Sequence, residues 1–179
     1  MDMTKKFYEE TVEELKKEGF EGFHTVKELK RDITKVPKTK GVYMVLRKSD
    51  KGPEYLSEGT GGKFKGKDGN VSIEELKSNW NNDSCILYIG KAGSYSPSKK
   101  TGKVSKANLL ERIEAYMKYG SGKNIGHKGG RYIWQLKDSD ELVVCWKETK
   151  KEPRDEEKKL IEDFKKYHKG KRPFANLKD

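Results

Sequence analysis

The sequence predicts an α+β fold, a sheet flanked by helices. Two apolar runs, GVYMVLRK from Gly41 and CILYIGK from Cys85, have the residue types of β-strands, and the first also alternates in polarity. Two later segments, at 109–117 and from Pro153 to about Tyr167, repeat apolar residues at the spacing of amphipathic helices. With 179 residues, the chain is long enough for one domain with a hydrophobic core.

The first part of the chain, residues 1–36, is expected to be a helical extension. Residues 5–18 are rich in strong helix formers and are followed by Gly19, a residue that commonly ends helices. Thr25 and Glu28 have the spacing of a capping box, which predicts a second short helix. The first thirty residues contain six lysines and eight acids, so the extension does not account for the basic character of the chain.

Residues 37–179 are expected to form the main domain, with an insertion between its first two strands at about 48–84. The insertion is rich in glycine, and Ser72 with Glu75 predicts one short helix within it. After the middle helix, the runs RYIWQL and ELVVCWK flank the turn-forming sequence KDSD and predict a β-hairpin. Pro153 is a favourable first residue for the last helix.

Positive charge is concentrated in one segment of the chain. The whole sequence has 40 basic and 29 acidic residues, a net charge of +11. From Lys91 to Arg131 there are ten basic residues and two acids, and aromatic residues such as Tyr116 and His127 are interleaved with them. This pattern is typical of surfaces that bind the phosphate backbone of a nucleic acid. The alternative is a lysine-rich surface that serves only solubility.

Composition and spacing argue against several classes of protein. No apolar run approaches the roughly 18 residues of a membrane span, and the N-terminus lacks the apolar stretch of a signal peptide. We therefore expect a cytoplasmic protein without membrane association. The two cysteines lie in apolar runs and predict buried thiols, and the cysteine and histidine spacings do not fit a zinc site. The Gly-Lys sequences lack the full spacing of a P-loop.

One carboxylate lies on the apolar face of the predicted last helix. At about 100° per residue, Glu157 falls near the centre of the stripe that includes Leu160 and Phe164. Acids near a helix start are favourable, but that does not explain one that points inward. A buried carboxylate costs several kcal/mol unless it is paired or binds a metal. Arg112 lies at the margin of the middle helix's apolar stripe, where it can bind a phosphate or pair with a carboxylate.

Five short motifs, taken in chain order, resemble those of the GIY-YIG nuclease superfamily. They are GVY at 41–43, YIGK at 88–91, Arg112 with Tyr116 four residues later, Glu157 in the pattern E-x-x-L-I, and Asn176 in PFAN. The segment GHKGGRYIW resembles a subgroup feature, for which bacterial restriction enzymes of this superfamily are the nearest comparison. The chain departs from the family pattern in two ways. Between Tyr43 and Tyr88 lie 44 residues instead of a short hairpin, and valine replaces isoleucine in the first motif.

The resemblance implies a small three-stranded antiparallel sheet flanked by helices, and hydrolysis of phosphodiester bonds in DNA with Mg²⁺ or Mn²⁺. It implies that Glu157 holds the metal, that Tyr43 and Tyr88 line the site, and that Arg112 steadies the scissile phosphate. It also implies that Lys91 and Asn176 bind or orient the phosphate. The basic segment adds Tyr116, His127 and Arg131 as predicted nucleic-acid contacts. A general-base role for Tyr43 is a hypothesis that requires nearby cations to lower the pKa of its phenol.

The leading hypothesis is therefore a metal-dependent endonuclease that acts on double-stranded DNA. The alternative is a non-catalytic nucleic-acid-binding module that keeps the same fold and basic surface. A third class is a protein-interaction domain that uses the N-terminal helices and the insertion. No oligomeric state is predicted.

Overall fold

The computed structural model describes residues 3–64, 67–125 and 130–178, which form an α+β fold. In chain order, the strands are β1 (Glu21–Thr25), β2 (Gly41–Leu46), β3 (Lys63–Phe64), β4 (Lys67–Asp68), β5 (Ile86–Ala92) and β6 (Val143–Glu148). The helices are α1 (Met3–Lys17), α2 (Val26–Arg31), α3 (Ile73–Asn79), α4 (Leu109–Gly120) and α5 (Pro153–Tyr167). Four strands form one antiparallel sheet in the order β1-β6-β2-β5, and β3 pairs with β4 separately.

The main sheet has four strands, not the predicted three, because the N-terminal extension contributes one. The extension contains the two expected helices, α1 and α2, but the residues between them form β1 and pair with β6. The pairing is interrupted by a bulge between Gly22 and His24, where Phe23 has a left-handed backbone with φ of 57°. The extension is thus an integral part of the sheet.

The predicted helix starts are confirmed. The Thr25 hydroxyl accepts a hydrogen bond from the N–H of Glu28, and the Glu28 carboxylate accepts one from the N–H of Thr25. In the insertion, the Ser72 hydroxyl accepts a hydrogen bond within the first turn of α3. The last helix begins at Pro153 and ends at Tyr167, as its periodicity indicates.

The predicted hairpin after α4 is wrong in its first arm. The run RYIWQL forms a 3₁₀ helix over Arg131–Gln135, which begins after Gly130 in a left-handed conformation. The insertion packs against this helix, and the Trp134 carbonyl accepts a hydrogen bond from the N–H of Thr60. The run is buried because it lies between the insertion and the sheet, so its apolar character does not indicate a strand.

Both faces of the sheet are covered, so β2 is buried along its whole length. Val42, Met44 and Leu46 belong to a smaller cluster that includes Leu15 of α1 and Ile161 of α5. The cluster on the opposite face is larger and includes Tyr43, Val45, Tyr88, Ile113, Tyr116 and Trp134. The larger cluster contains most of the aromatic side chains on which the core depends.

The chain's last residues cover the outer edge of β5. The N–H of Ala175 donates to the carbonyl of Leu87 at 2.8 Å. The side-chain amide of Asn176 accepts from the N–H of Ile89 and donates to its carbonyl, both at 2.9 Å. The main-chain groups of this part of the edge are thus satisfied within the chain.

Two sequence-based exclusions can be compared with the structure. Cys85 and Cys145 are buried free thiols, as predicted, and burial raises the pKa of both thiols. Among the described residues, no helix combines the length and the apolar character needed to cross a bilayer.

Candidate active site

The predicted catalytic residues meet beside β5, the edge strand that both α4 and α5 contact. Tyr88 and Lys91 lie on β5 itself, and Tyr43 lies on the adjacent strand β2. Arg112 comes from α4, and Glu157 comes from α5. Five side chains from four separate stretches of the sequence are therefore carried by four neighbouring elements.

The starts of the two helices set the positions of the two charged side chains. A reciprocal capping box between Asn108 and Glu111 begins α4, which places Arg112 in its first turn. Pro153 begins α5, which places Glu157 in its second turn. The carboxylate is therefore near the positive end of its helix, where a negative charge is favourable.

Glu157 is a half-buried carboxylate with three cations near it. Burial raises the pKa of Glu157, and the positive charges of Lys91, Arg112 and Arg154 lower it by a smaller amount. The carboxylate takes no part in the ion pairs found among the described residues. The carboxylate lies among positive charges but forms no ion pair with any one of them. A group that binds a cation, or that lies next to a phosphate, has to be free in this way.

Arg154 is a site residue that the sequence reasoning missed. It lies three residues before Glu157 on α5, and its positive charge lowers the pKa of that carboxyl group. The signal was available, because residues three apart on a helix are neighbours on its surface. It was hidden by the many other basic residues of the chain.

Three tyrosines pack together next to this carboxylate. The ring of Tyr88 lies parallel to that of Tyr116 at 6.0 Å between centroids and is 5.9 Å from that of Tyr43. A hydrogen bond joins the hydroxyls of Tyr43 and Tyr88. Trp134 packs on Tyr116 at 4.9 Å and completes the cluster.

Burial keeps all three phenols neutral at pH 7. It raises the pKa of Tyr88 to about 12, and it raises the pKa values of Tyr43 and Tyr116 well above their usual value. The negative charge of Glu157 adds to the rise in the pKa of Tyr88, and the positive charge of Arg112 opposes it. Each phenol therefore keeps its hydroxyl proton at pH 7 and can donate one hydrogen bond.

Burial opposes the general-base hypothesis for Tyr43, which requires nearby cations and the metal to lower the pKa of its phenol. Arg112 does lower the pKa of this phenol, but burial raises it more, because the side chain has no exposed surface. Strand alternation predicts a half-exposed Tyr43 on the side opposite Val42. That side is covered by α4 and by the 3₁₀ helix, so the phenol is a core residue that supports Tyr88.

The glycines of both tyrosine motifs permit close approach of the strands. A Cβ at Gly90 would lie 2.6 Å from Cζ of Tyr43, which packs across the strand at this point. A Cβ at Gly41 would lie 2.1 Å from the carbonyl oxygen of Lys147 on β6. Each glycine is required because another group occupies the space that a side chain needs.

Asn176 lies next to β5, but its amide is engaged with the strand. Both hydrogen bonds of the side chain are with Ile89, one residue after Tyr88 and two before Lys91. The residue is buried, and its observed contacts hold the strand that carries the site. We therefore assign it a positioning role and leave it out of the proposed phosphate contacts.

The remaining predicted nucleic-acid contacts lie apart from Glu157 or inside the core. Tyr116 has no exposed surface, and its hydroxyl donates to the carbonyl of Gly130 at 3.4 Å. Arg131 lies beside Tyr119 and Tyr132, and its Nε is buried without a hydrogen-bond partner among the described residues. The predicted contact His127 lies outside the described residues.

The carboxylate fits a hydrated divalent cation. Mg²⁺ prefers oxygen ligands, keeps several waters and is often held by one or two carboxylates together with substrate phosphates. The described part of the chain contains no group of three or more acidic, histidine or cysteine side chains that could form a complete metal cage. Glu157 would therefore hold the ion as its protein ligand, with water and phosphate oxygens completing the coordination.

No protein-family model matches the chain, and comparisons with curated proteins and with solved structures also find no match. The resemblance to the GIY-YIG superfamily thus depends on the five motifs and on where the fold places them.

Proposed function

We propose that this protein is a metal-dependent endonuclease that hydrolyses phosphodiester bonds in DNA, with a site of the GIY-YIG type. One observation carries the proposal: the half-buried carboxylate of Glu157 lies among Lys91, Arg112 and Arg154, next to the hydroxyl of Tyr88. These groups come from β5, α4 and α5, and they combine a cation ligand, phosphate-binding cations and a hydrogen-bond donor in one place.

Each side chain has a chemical role in this proposal. Glu157 would hold Mg²⁺ or Mn²⁺, and the metal would supply electrostatic stabilisation of the charge that develops on the phosphate. In this proposal Arg112 binds the scissile phosphate through two parallel hydrogen bonds, a geometry that lysine cannot reproduce. Lys91 offsets the negative charge that develops on the phosphate oxygens as the transition state forms.

The tyrosine pair supports a specific role for Tyr88. Tyr88 forms a hydrogen bond with Tyr43, and a phenolic hydroxyl can donate one hydrogen bond and accept others, so Tyr88 can also engage a group on the side of Glu157. Tyr88 is close enough to Glu157 for that carboxylate to raise the pKa of the phenol. In the proposed site, Tyr88 donates to the attacking water or to a phosphate oxygen, and Tyr43 fixes its orientation.

A non-catalytic nucleic-acid-binding module is the second candidate. It is favoured by the burial of Tyr43, Tyr88 and Tyr116, which keeps all three phenols neutral and removes a phenolate base from the site. The same cations would then bind phosphates without cleavage. The two candidates differ in one measurable result, which is whether the phosphodiester bond is broken.

Incubation with plasmid DNA tests the proposal. We expect nicking or cutting of the plasmid with Mg²⁺ or Mn²⁺ and none with a chelator. Glu157→Gln is expected to lower the cleavage rate by at least about 10²-fold and to leave DNA binding intact. Glu156→Gln is the matched control, because it removes a carboxylate from the adjacent position on α5 and is expected to cleave like the wild type.

Two outcomes contradict the proposal. Cleavage by Glu157→Gln at the wild-type rate would remove this residue from the site. Salt-sensitive DNA binding without cleavage under any divalent metal would support the binding module instead. Absence of nucleic-acid affinity at low salt would exclude both candidates and leave a protein-interaction domain.

A further inference from the structure

A lysine-rich loop follows β5 and lies next to the candidate site. We call residues 94–106 the basic loop; it contains four exposed lysines and no acidic residue. The lysines are Lys99, Lys100, Lys103 and Lys106. Two large apolar side chains of the loop are also unusually exposed, Tyr95 at 48% and Val104 at 42%. The composition suits a polyanion, for which charge and apolar contacts are both available.

The basic loop is closed by its own hydrogen bonds. At its base, the N–H of Ser94 donates to the carbonyl of Ser105 at 3.1 Å, and the N–H of Ser105 donates to Oγ of Ser94 at 2.8 Å. At its tip, the N–H of Ser98 donates to the carbonyl of Lys103 at 2.9 Å, and Gly102 has a left-handed φ of 66°. The lysines are therefore presented on a defined turn rather than on an extended chain.

A carboxylate at the start of α5 fastens the basic loop to the rest of the molecule. One oxygen of Glu152 accepts hydrogen bonds from the N–H groups of Tyr95 and Ser96, both at 2.9 Å. The Tyr95 hydroxyl donates to the carbonyl of Thr149 at 2.8 Å, and Lys40 lies with its Nζ 4.7 Å from the centre of the Tyr95 ring. The loop is thus held on two sides at its first residues.

The fastening point belongs to the same helix as the candidate metal ligand. Glu152 immediately precedes Pro153, the first residue of α5. Glu157 lies five residues after Glu152, which corresponds to a rise of about 7.5 Å along a helix. At its other end, the basic loop begins three residues after Lys91 of β5. The carboxylate of Glu152 therefore links the position of the loop to the position of the site.

We propose that the basic loop is a fixed clamp for the phosphate backbone of duplex DNA beside the scissile phosphate, and that Glu152 is the positioning residue that aligns the clamp with Glu157. This inference rests on the proposed function, because the clamp and the site engage the same DNA. The partner is identified by charge complementarity: four ordered lysines without an acid match a closely spaced row of phosphates.

The direction in which Glu152→Ala changes the affinity for DNA distinguishes a positioning role from a purely electrostatic one. Glu152 carries a negative charge next to a surface that binds a polyanion, so electrostatics alone predicts that Glu152→Ala tightens DNA binding. Loss of the two hydrogen bonds to Tyr95 and Ser96 predicts the reverse, because the lysines are no longer aligned. Glu156→Ala is the control, since it removes the same charge nearby and is expected to leave binding unchanged or slightly tighter.

The experiment measures the affinity of the full chain for a duplex oligonucleotide in chelator, at salt concentrations from about 50 to about 200 mM. The loop variant replaces Lys99, Lys100, Lys103 and Lys106 with glutamine. The matched control replaces four exposed lysines on and after α5, namely Lys158, Lys159, Lys166 and Lys169. Both variants change only exposed side chains, so folding is expected to be unaffected.

We expect the loop variant to lower the slope of log affinity against log salt by about 2 to 4, and the control variant to lower it by less than about 1. Affinity near 0.1 M salt should fall by about 10² or more in the loop variant. Glu152→Ala should weaken binding about fivefold or more and reduce the salt slope, and Glu152→Gln should restore much of the loss, because its amide oxygen can accept the same two N–H groups.

Three results would overturn the inference. They are tighter binding by Glu152→Ala, an equal loss in the control lysine variant, or a loop variant with the wild-type salt slope. The proposed function fails by a different result, binding without cleavage in Mg²⁺. Because the clamp is measured in chelator, its outcome does not depend on whether the wild type cleaves.

Discussion

Replacing Gly90 with alanine tests how tightly the tyrosine cluster is packed. A Cβ at this position would lie 2.6 Å from Cζ and 2.8 Å from Cε1 and the hydroxyl oxygen of Tyr43. Carbon atoms in contact are normally about 3.5 to 4.0 Å apart, so the ring or the strand must move by about 1 Å. The added methyl group therefore overlaps with a side chain that has no free space around it.

The cost of this overlap can be worked out from the surroundings of Tyr43. Its ring is fully buried and packs against Tyr88 and Tyr116, so it cannot rotate towards solvent. Overpacking of a core costs about 1–3 kcal/mol, and loss of the hydrogen bond to Tyr88 adds about 1 kcal/mol. We therefore expect Gly90→Ala to lower the free energy of unfolding by about 2–4 kcal/mol.

Urea denaturation followed by tryptophan fluorescence and by circular dichroism measures this change. The control is Gly52→Ala, because a Cβ at Gly52 meets no atom within 4 Å. The control is expected to change the free energy of unfolding by less than about 0.5 kcal/mol or to raise it slightly. A Gly90→Ala protein as stable as the wild type would refute the close packing of Tyr43 on β5.

Two further predictions concern side chains next to β5. Asn176→Ala should lower the free energy of unfolding by about 2–4 kcal/mol, because both main-chain polar groups of Ile89 lose their buried partner. If urea denaturation shows a loss below about 1 kcal/mol, the positioning role of Asn176 is contradicted. Glu157→Gln should stabilise the fold at pH 7, because burial raises the pKa of this carboxyl and makes its ionised form unfavourable in the folded state. This gain should shrink as pH falls through the raised pKa and vanish below the ordinary value of 4.5, and a gain that does not change between pH 4 and pH 8 would argue against it.

The two tyrosine strands and the last helix could be predicted because their signals are local. The segments of β2 and β5 have the residue types of strands. Pro153 marks the start of α5, and the 3.6-residue repeat correctly turned Glu157 inward. In each case, the residues within one element decide its conformation.

The strand β1 could not be predicted, because it depends on a distant partner. Its sequence EGFHT contains a glycine and a bulge with a left-handed Phe23, so neither its alternation nor its composition indicates a strand. Pairing with the apolar strand β6 stabilises it. The run RYIWQL shows the opposite effect, since a favourable strand sequence is held as a 3₁₀ helix by contacts with the insertion.

The protonation and burial of the tyrosines at the site were harder to predict from the sequence than which residues the site contains. Alternation along β2 places Tyr43 on the side of the sheet opposite Val42, but it does not say what covers that side. The cover comes from α4 and from the residues around Trp134, which approach only in the folded chain. Their presence makes Tyr43 a buried side chain whose burial raises the pKa of its phenol.

The two outer strands of the sheet also limit how copies of this protein can associate. The edge at β5 is occupied by Ala175 and Asn176. The edge at β1 is only five residues long and is distorted at Phe23. Such edges are poor templates for pairing with a strand from a second molecule. Under the proposed function, two copies that pair to cut both DNA strands would then contact each other through side chains or through the DNA, and growth into a continuous intermolecular sheet is disfavoured.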